Sequence, residues 1–291
     1  MVRVTVMLEQ TAIWLGLICG VYALFLPFWF GLSALGTKWG FFDWSVGLDL
    51  MTHTLGAPLI VSGLVVGGLC GLLIIVHRFM AGEFATSFTG VLAVLVVSGL
   101  ALTAKVHVDQ TRASRPVLLD VTTDTLNPPH FSTSFIARRD IGDMSLDYAT
   151  KHGPGGGALG DYQASLYPRI RPLNVPAEPE IVFSHALRTA RDLGWRIGTA
   201  SRQSGMFEAG AESFWFGFRD DIAVRVTVRE AGGAIVDVRS LAREDVHDLG
   251  RNADRVIQFL DLLAQESGGR LPAEETGATD DGEPPNSGSD I

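Results

Sequence analysis

The sequence predicts an α+β protein tied to a membrane: an N-terminal region of three transmembrane helices, then a two-layer domain of antiparallel sheet plus helices, then a disordered tail. Three observations carry this prediction. Residues 1–105 hold three long runs without a charge. Residues 180–266 switch from helical period to strand period and back. Residues 267–291 are acidic and almost free of apolar side chains, so burial there cannot offset the entropy of ordering. The mean hydropathy of +0.24, beside 33 Gly and 19% charged residues, is therefore an average over unlike parts.

The charge divides along the same boundaries. Residues 1–105 are neutral, residues 106–266 carry −4 and residues 267–291 carry −5, which together make the net −9. No basic stripe is present, and this argues against a nucleic-acid partner. Cys19 and Cys70 both lie in apolar runs. That excludes a disulfide framework or a cysteine zinc site in the polar part.

Residues 11–30, 55–76 and 88–104 are the three uncharged runs, and residues 84–87 can extend the last. A bilayer core of about 30 Å needs about 20 apolar residues in a helix. The first run is no cleaved signal peptide: it is long, aromatic to its end and lacks a small-residue cleavage pattern. Gly63, Gly67 and Gly71 are spaced four apart on one face of the second span. Such a stripe lets a second helix approach closely, either within the chain or from another copy in a homo-oligomer. The connection at residues 31–53 clusters Trp39, Phe41, Phe42 and Trp44 beside Asp43 and Asp49, as an amphipathic piece at the lipid interface would. For orientation, Arg3 and Arg78 lie on the N-terminal side, against Lys38, Lys105, Arg112 and Arg115 on the other. Taken alone, that bias favours a cytoplasmic polar domain.

Residues 106–179 form a wrap rich in Gly and Pro, anchored by Tyr162, Leu166, Tyr167 and Ile170; disorder is the alternative for residues 151–160. The α+β module at residues 180–266 is more regular. Val182, Phe183, Ala186, Leu187, Ala190 and Leu193 recur at helical spacing, and Gly194 is a stop signal. Short strands follow from Trp195 and from Gly205. Ile222, Val224, Val226 and Val228 alternate with Ala223, Arg225, Thr227 and Arg229, Gly232-Gly233 turns the chain, and Ala234, Val236 and Val238 alternate again. Leu249, Val256, Leu260 and Leu263 then mark a second amphipathic helix, with Asp248 as its N-cap or first-turn acid.

Candidate chemistry lies on these strands. Arg225, Arg229 and Arg239, with Arg243 following, could bind an anionic lipid or polymer, because the guanidinium fork suits carboxylates and phosphates. The alternative is cross-strand pairing with Asp237, Asp220 and Asp221 on a solvated face. Asp220, Asp221 and Asp248 are candidate acids or a cation site, although no EF-hand spacing exists and the adjacent pair could instead close a turn. Phe214, Phe216 and Phe218 would share one face of a strand, with Trp215 opposite as a candidate binding residue or as packing. No histidine pair has metal spacing, no G-x-S-x-G is present, and the glycines at 153–160 are not followed by Lys-Ser/Thr. No catalytic residue, metal or cofactor is therefore assigned.

A set of motifs resembles one known family. These are Asp120-Val121-Thr122-Thr123-Asp124-Thr125 with Pro128-Pro129 and Phe131; Ser213-Phe214-Trp215-Phe216-Gly217-Phe218 with Asp220-Asp221-Ile222; and Asp237-Val238-Arg239-Ser240, Arg243, Asp248-Leu249-Gly250, Asn252, Ala253 and Arg255. Together they are similar to domain-of-unknown-function family 1499, over roughly residues 116–264, with the three spans outside it. The resemblance transfers no catalytic residue. It implies an exported or envelope setting, which opposes the charge bias and is preferred to it. The resulting expectation is a multi-pass protein of a bacterial inner membrane with a periplasmic domain. That domain would be a non-catalytic binding or assembly module for envelope proteins, anionic lipid or polymer. The alternatives are a hydrolase of an envelope or lipid substrate using Asp and Arg side chains, and a scaffold or accessory subunit of a membrane complex.

Overall fold

The structure is a computed structural model and describes residues 2–81, 88–137 and 145–270. The extension of the third span through residues 84–87, the side chains of Arg3 and Arg78 used for orientation, and the expected disorder of residues 271–291 lie outside the described residues. The chain divides into two compact units, Met1–Val117 with Glu212–Arg219, and Leu118–Ala211 with Asp220–Ile291.

In the first unit, α1 spans Val2–Lys38, a π-helical segment Ser45–Thr54 leads into α2 (Gly56–Ala81), and α3 spans Phe88–Ser114. Gln10–Lys38, Ser45–His77 and Phe88–Ser114 are long and apolar enough to cross a membrane. The uncharged runs lie inside these helices. The aromatic connection leads into a segment that is held against α1, with Trp39 and Phe41 exposed. Gly40 turns the chain at φ +72°, and the π-helical segment docks on α1. Ser33 Oγ donates to the Gly47 carbonyl at 2.6 Å, and Trp29 Nε1 donates to the Met51 carbonyl at 3.0 Å. A Cβ at Gly47 would lie 1.9 Å from Thr37 Oγ1, so only glycine permits this approach.

Small residues set the helix crossings, as expected where lipid removes any hydrophobic drive between helices. A Cβ at Gly90 of α3 would lie 2.0 Å from the Gly16 carbonyl oxygen of α1. The stripe on α2 faces the same chain: added Cβ atoms at Gly63, Gly67 and Gly71 would meet Ser98, Leu95 with Val94, and Val91 of α3. Gly63, Gly67 and Gly71 thus serve packing within the chain, their missing side chains leaving room for Val91, Val94 and Leu95.

In the second unit the order is β1 (Asp120–Thr122), α4 (Thr133–Ile136), α5 (Leu159–Leu166), β2 (Leu173–Val175), α6 (Pro179–Asp192), β3 (Arg196–Ser201), β4 (Met206–Glu212), β5 (Arg219–Val228), β6 (Ala234–Ala242) and α7 (Arg251–Ser267). One sheet runs β1-β6-β5-β4-β3, and β2 also pairs with β6. Gly232 and Gly233, at φ +86° and +88°, make the β5–β6 hairpin, whose register runs from Asp220↔Ala242 to Val228↔Ala234.

Strand alternation sorts the side chains. Ile222, Val224 and Val226 of β5 join Val236 and Val238 of β6 in a core with Val182, Phe183, Ala186 and Ala190 of α6 and Val256, Phe259, Leu260 and Leu263 of α7. The helices thus cover one sheet face, as the sequence periods predict. The second face differs from the expected solvated surface. Ala223 and Leu241 there are buried under Phe131 and Phe135, with Ile136 and Leu146 packed alongside. The wrap also supplies β1, β2 and α5. Strands of three residues are too short to show a period, and α5, at eight residues, makes barely two turns.

Gly67→Leu is expected to destabilise the helix bundle by about 1–3 kcal/mol through overpacking against Leu95 and Val94. Gly68→Leu, where an added Cβ meets nothing within 4 Å, is expected to be near neutral. Thermal unfolding of the full chain in detergent, compared for the two variants, checks this.

Candidate functional site

The site is built on the sheet face beneath the wrap. Residues on β6 alternate, so Asp237 and Arg239 point away from the helices. β1 pairs with β6 through Asp120↔Leu241 and Thr122↔Arg239, which brings Asp120 beside Arg239. Arg239 Nε donates to Asp120 Oδ1 at 2.9 Å and Nη2 to Asp120 Oδ2 at 2.7 Å. Both side chains are 1% exposed. Lys151 Nζ donates to the same Oδ2 at 2.5 Å. The guanidinium lies 5.5 Å from the Phe131 ring centre and 5.7 Å from that of Tyr148. Nη2 also donates to the Leu146 carbonyl at 2.8 Å, and Nη1 to that of Pro129 at 3.4 Å.

Arg239 therefore joins β1, β6 and both sides of the wrap. Tyr148 is buried at its edge, and burial pushes its phenol far above the ordinary range, so it stays a donor. Its hydroxyl donates to Gln163 Oε1 at 3.1 Å. The same Gln163 amide accepts from the Thr122 N–H at 2.9 Å and donates to the Thr122 carbonyl at 2.7 Å.

A second pair lies alongside. Arg225 faces Asp237 across the strands, and its Nη2 donates to Asp237 Oδ2 at 2.8 Å and to Asp124 Oδ2 at 3.0 Å. Burial raises the Asp237 carboxyl above its ordinary value, with Arg225 and the Thr123 hydroxyl opposing. Asp124 Oδ1 accepts from the N–H groups of Leu126 at 3.1 Å and Asn127 at 2.9 Å, which shapes the rim. Glu208 of β4 is buried and accepts from Ser132 and Thr199, holding the start of α4.

These contacts frame a cleft of about 500 Å³ with Arg239 and Tyr148 at its base. Pro128, Phe131, Ile136 and Leu146 supply apolar wall, and Asn127, His130 and Asp147 supply polar groups. Leu126 stands on the rim, 96% exposed.

The structure distributes the sequence candidates differently from the expected surface. Arg225 and Arg239 do share a face, but both are engaged by carboxylates under the wrap rather than presented to solvent. Arg243 is also largely buried, and its Nη2 donates to Asp221 Oδ1 at 2.7 Å. Arg229 lies apart, at the β5–β6 turn. Asp220 and Asp221 lie on β5 rather than in a turn, and as adjacent strand residues they point to opposite faces. Asp220 receives Arg255 Nη2 at 2.7 Å, and burial raises its carboxyl against the opposing charges of Arg255 and Arg251. Asp248 lies close enough to Asp220 to raise it slightly further. Its own carboxylate accepts from the Gly250 and Asn252 N–H groups, closing the first turn of α7. Among the described residues no group of three or more His, Cys, Asp or Glu could hold a metal.

Trp215 is not on a strand. Residues 214–216 form the turn between β4 and β5, where Phe214 is 73% and Trp215 60% exposed. The Ser213 N–H donates to the Phe218 carbonyl at 2.8 Å, and Gly217 at φ +70° reverses the chain, so the aromatic alternation never becomes a strand.

Replacing Arg239 with Met is expected to cost about 3–5 kcal/mol, because it leaves Asp120 buried with its main partner gone. Asp261→Ala, which removes the exposed partner of Arg169, is expected to cost about 0–1 kcal/mol. Resistance of the full-length protein to proteolysis as temperature rises measures both.

No curated protein matches the chain. The family described as Protein of unknown function (DUF1499) matches residues 120–263, and the three candidate spanning helices precede the match. The match begins at Asp120 and takes in Arg239 and the described residues that line the cleft. The domain at residues 120–263 of this chain belongs to the DUF1499 family.

Proposed function

We propose that this protein is a non-catalytic binding or assembly module tethered to a bacterial inner membrane, with its polar domain in the periplasm and its recognition site in the cleft above Arg239. One observation carries the reading. The cleft has apolar walls and a few polar groups, and a network of buried ion pairs fixes those walls before any ligand arrives. Concave sites of this composition suit recognition, and a preformed wall lowers the ordering cost of binding. A ligand with an apolar face and a hydrogen-bonding edge matches Phe131, Ile136 and Leu146 beside Asn127 and His130.

The hydrolase alternative would draw on Asp220, Asp221 and Asp248. Arginines or the first turn of α7 engage these three carboxylates, which favours the binding reading. The periplasmic placement is supported by the envelope setting that the family resemblance implies. The excess of Lys and Arg on this side of the spans opposes it, so the orientation test discriminates sharply.

A photo-crosslinking residue at Leu126 of the full-length protein, used in living cells, is expected to give a discrete adduct that weakens when His130 is changed to Glu. The same probe at Ile181, an exposed apolar position on α6, is expected to give none. Equal adducts at both positions, or none at Leu126, would remove the cleft as the site. Alkaline phosphatase fused after Arg270 is expected to be active; activity only from a cytoplasmic reporter fused at the same point would reverse the orientation.

A further inference from the structure

A second pocket lies within the membrane-spanning unit, where all three apolar runs end. Its volume is about 340 Å³. Phe30 of α1, Ile60 of α2 and Ala101 and Ala104 of α3 line its apolar side. His53, Lys105 and Asp109 line its polar side. Phe30 closes the uncharged run of α1, His53 precedes that of α2, and Lys105 follows that of α3. The change from apolar to charged lining therefore falls at the depth where hydrocarbon gives way to headgroups.

The polar side is charged but balanced. Lys105 Nζ meets Asp109 Oδ2 at 2.5 Å. Arg112 Nη1 lies 3.4 Å from His53 Nε2. Lys105 and Asp109 thus line the polar side together, and Arg112 reaches the imidazole of His53 at the mouth of the apolar groove. A purely anionic headgroup would meet the Asp109 carboxylate as well as the cations. A zwitterionic headgroup meets both signs: its phosphate fits Lys105 and Arg112, and its ammonium fits Asp109.

We infer that this pocket is a binding site for a single zwitterionic aminophospholipid, with its phosphate on Lys105 and Arg112, its ammonium on Asp109, and an acyl chain along Phe30, Ile60 and Ala104. The site is distinct from the cleft of the polar domain and does not depend on the function proposed for it.

The full-length protein, stripped of lipid in a non-ionic detergent, is incubated with equal amounts of phosphatidylethanolamine, phosphatidylglycerol and diacylglycerol, and bound lipid is read by native mass spectrometry. One phosphatidylethanolamine per chain is expected to be retained in preference to the other two. Lys105→Ala is expected to lower retention roughly tenfold, as for loss of a charge-assisted hydrogen bond. Ala104→Trp, at an exposed position on the groove wall, is expected to abolish it by occupancy. Val65→Trp on the outward face of α2 is expected to leave it unchanged. Preferential retention of phosphatidylglycerol would overturn the charge assignment. Equal retention of all three lipids, or retention unaffected by Lys105→Ala and Ala104→Trp, would reduce the pocket to ordinary lipid contact.

Discussion

Asp120 and Arg239 come from strands more than a hundred residues apart in sequence and meet where water does not reach. Burying either alone would cost several kcal/mol. Burying them together is tolerable because the fork is bidentate, Lys151 adds a second cation to Asp120, and the remaining guanidinium donors find the Leu146 and Pro129 carbonyls. The pair therefore selects one arrangement of the wrap over others of similar apolar content. Phe131 and Tyr148 can flank the guanidinium only when the wrap crosses the sheet at this position. The cleft follows from this, since its base is Arg239 and its walls are the wrap segments that Arg239 holds.

The membrane-spanning unit is ordered by a different constraint. It has no hydrophobic drive between helices, so close approach has to come from the absence of side chains. Gly16, Gly90, Gly63 and Gly67 supply it at the crossings, and Gly47 supplies it where the π-helical segment meets α1. Hydrogen bonds then fix register: Tyr22 Oη donates to the Leu59 carbonyl at 2.9 Å, and Ser33 Oγ donates to that of Gly47 at 2.6 Å. The first unit depends on steric fit and a few polar contacts, the second on apolar burial and paired charge.

Much of this architecture was legible in the sequence. The three spans, α6, α7 and the β5–β6 hairpin all follow from charge-free length or from strict periods, which single-chain patterns record directly. The site was less legible, for physical reasons. Arg225 and Arg239 read correctly as one strand face, but no local pattern shows that a distant segment covers that face. Lys151, Tyr148, Gln163 and Glu208 gave no signal, because each earns its place through partners far away or on another strand. Asp120 and Asp124 stood inside the motif that carried the family resemblance, and that motif was the one available pointer to the cleft. Phe214 to Phe218 misled because alternation was read without the weight of Gly217, whose positive φ ends any strand there.

The amide of Gln163 has a further consequence. By taking both the N–H and the carbonyl of Thr122, one side chain stands in for a neighbouring strand along β1. Arg270 does the same for β2 with its backbone, exchanging two hydrogen bonds with Asn174. At the opposite border of the sheet, the β3–β4 pairing slips between Ile197 and Thr199, and β3 carries the charged Arg196. A flat, unpaired border is a template for joining another chain edge to edge, and bulges, charges and covering groups remove it. Here both borders are blunted, by two unlike devices, so this sheet is ill-suited to growing by adding strands from outside.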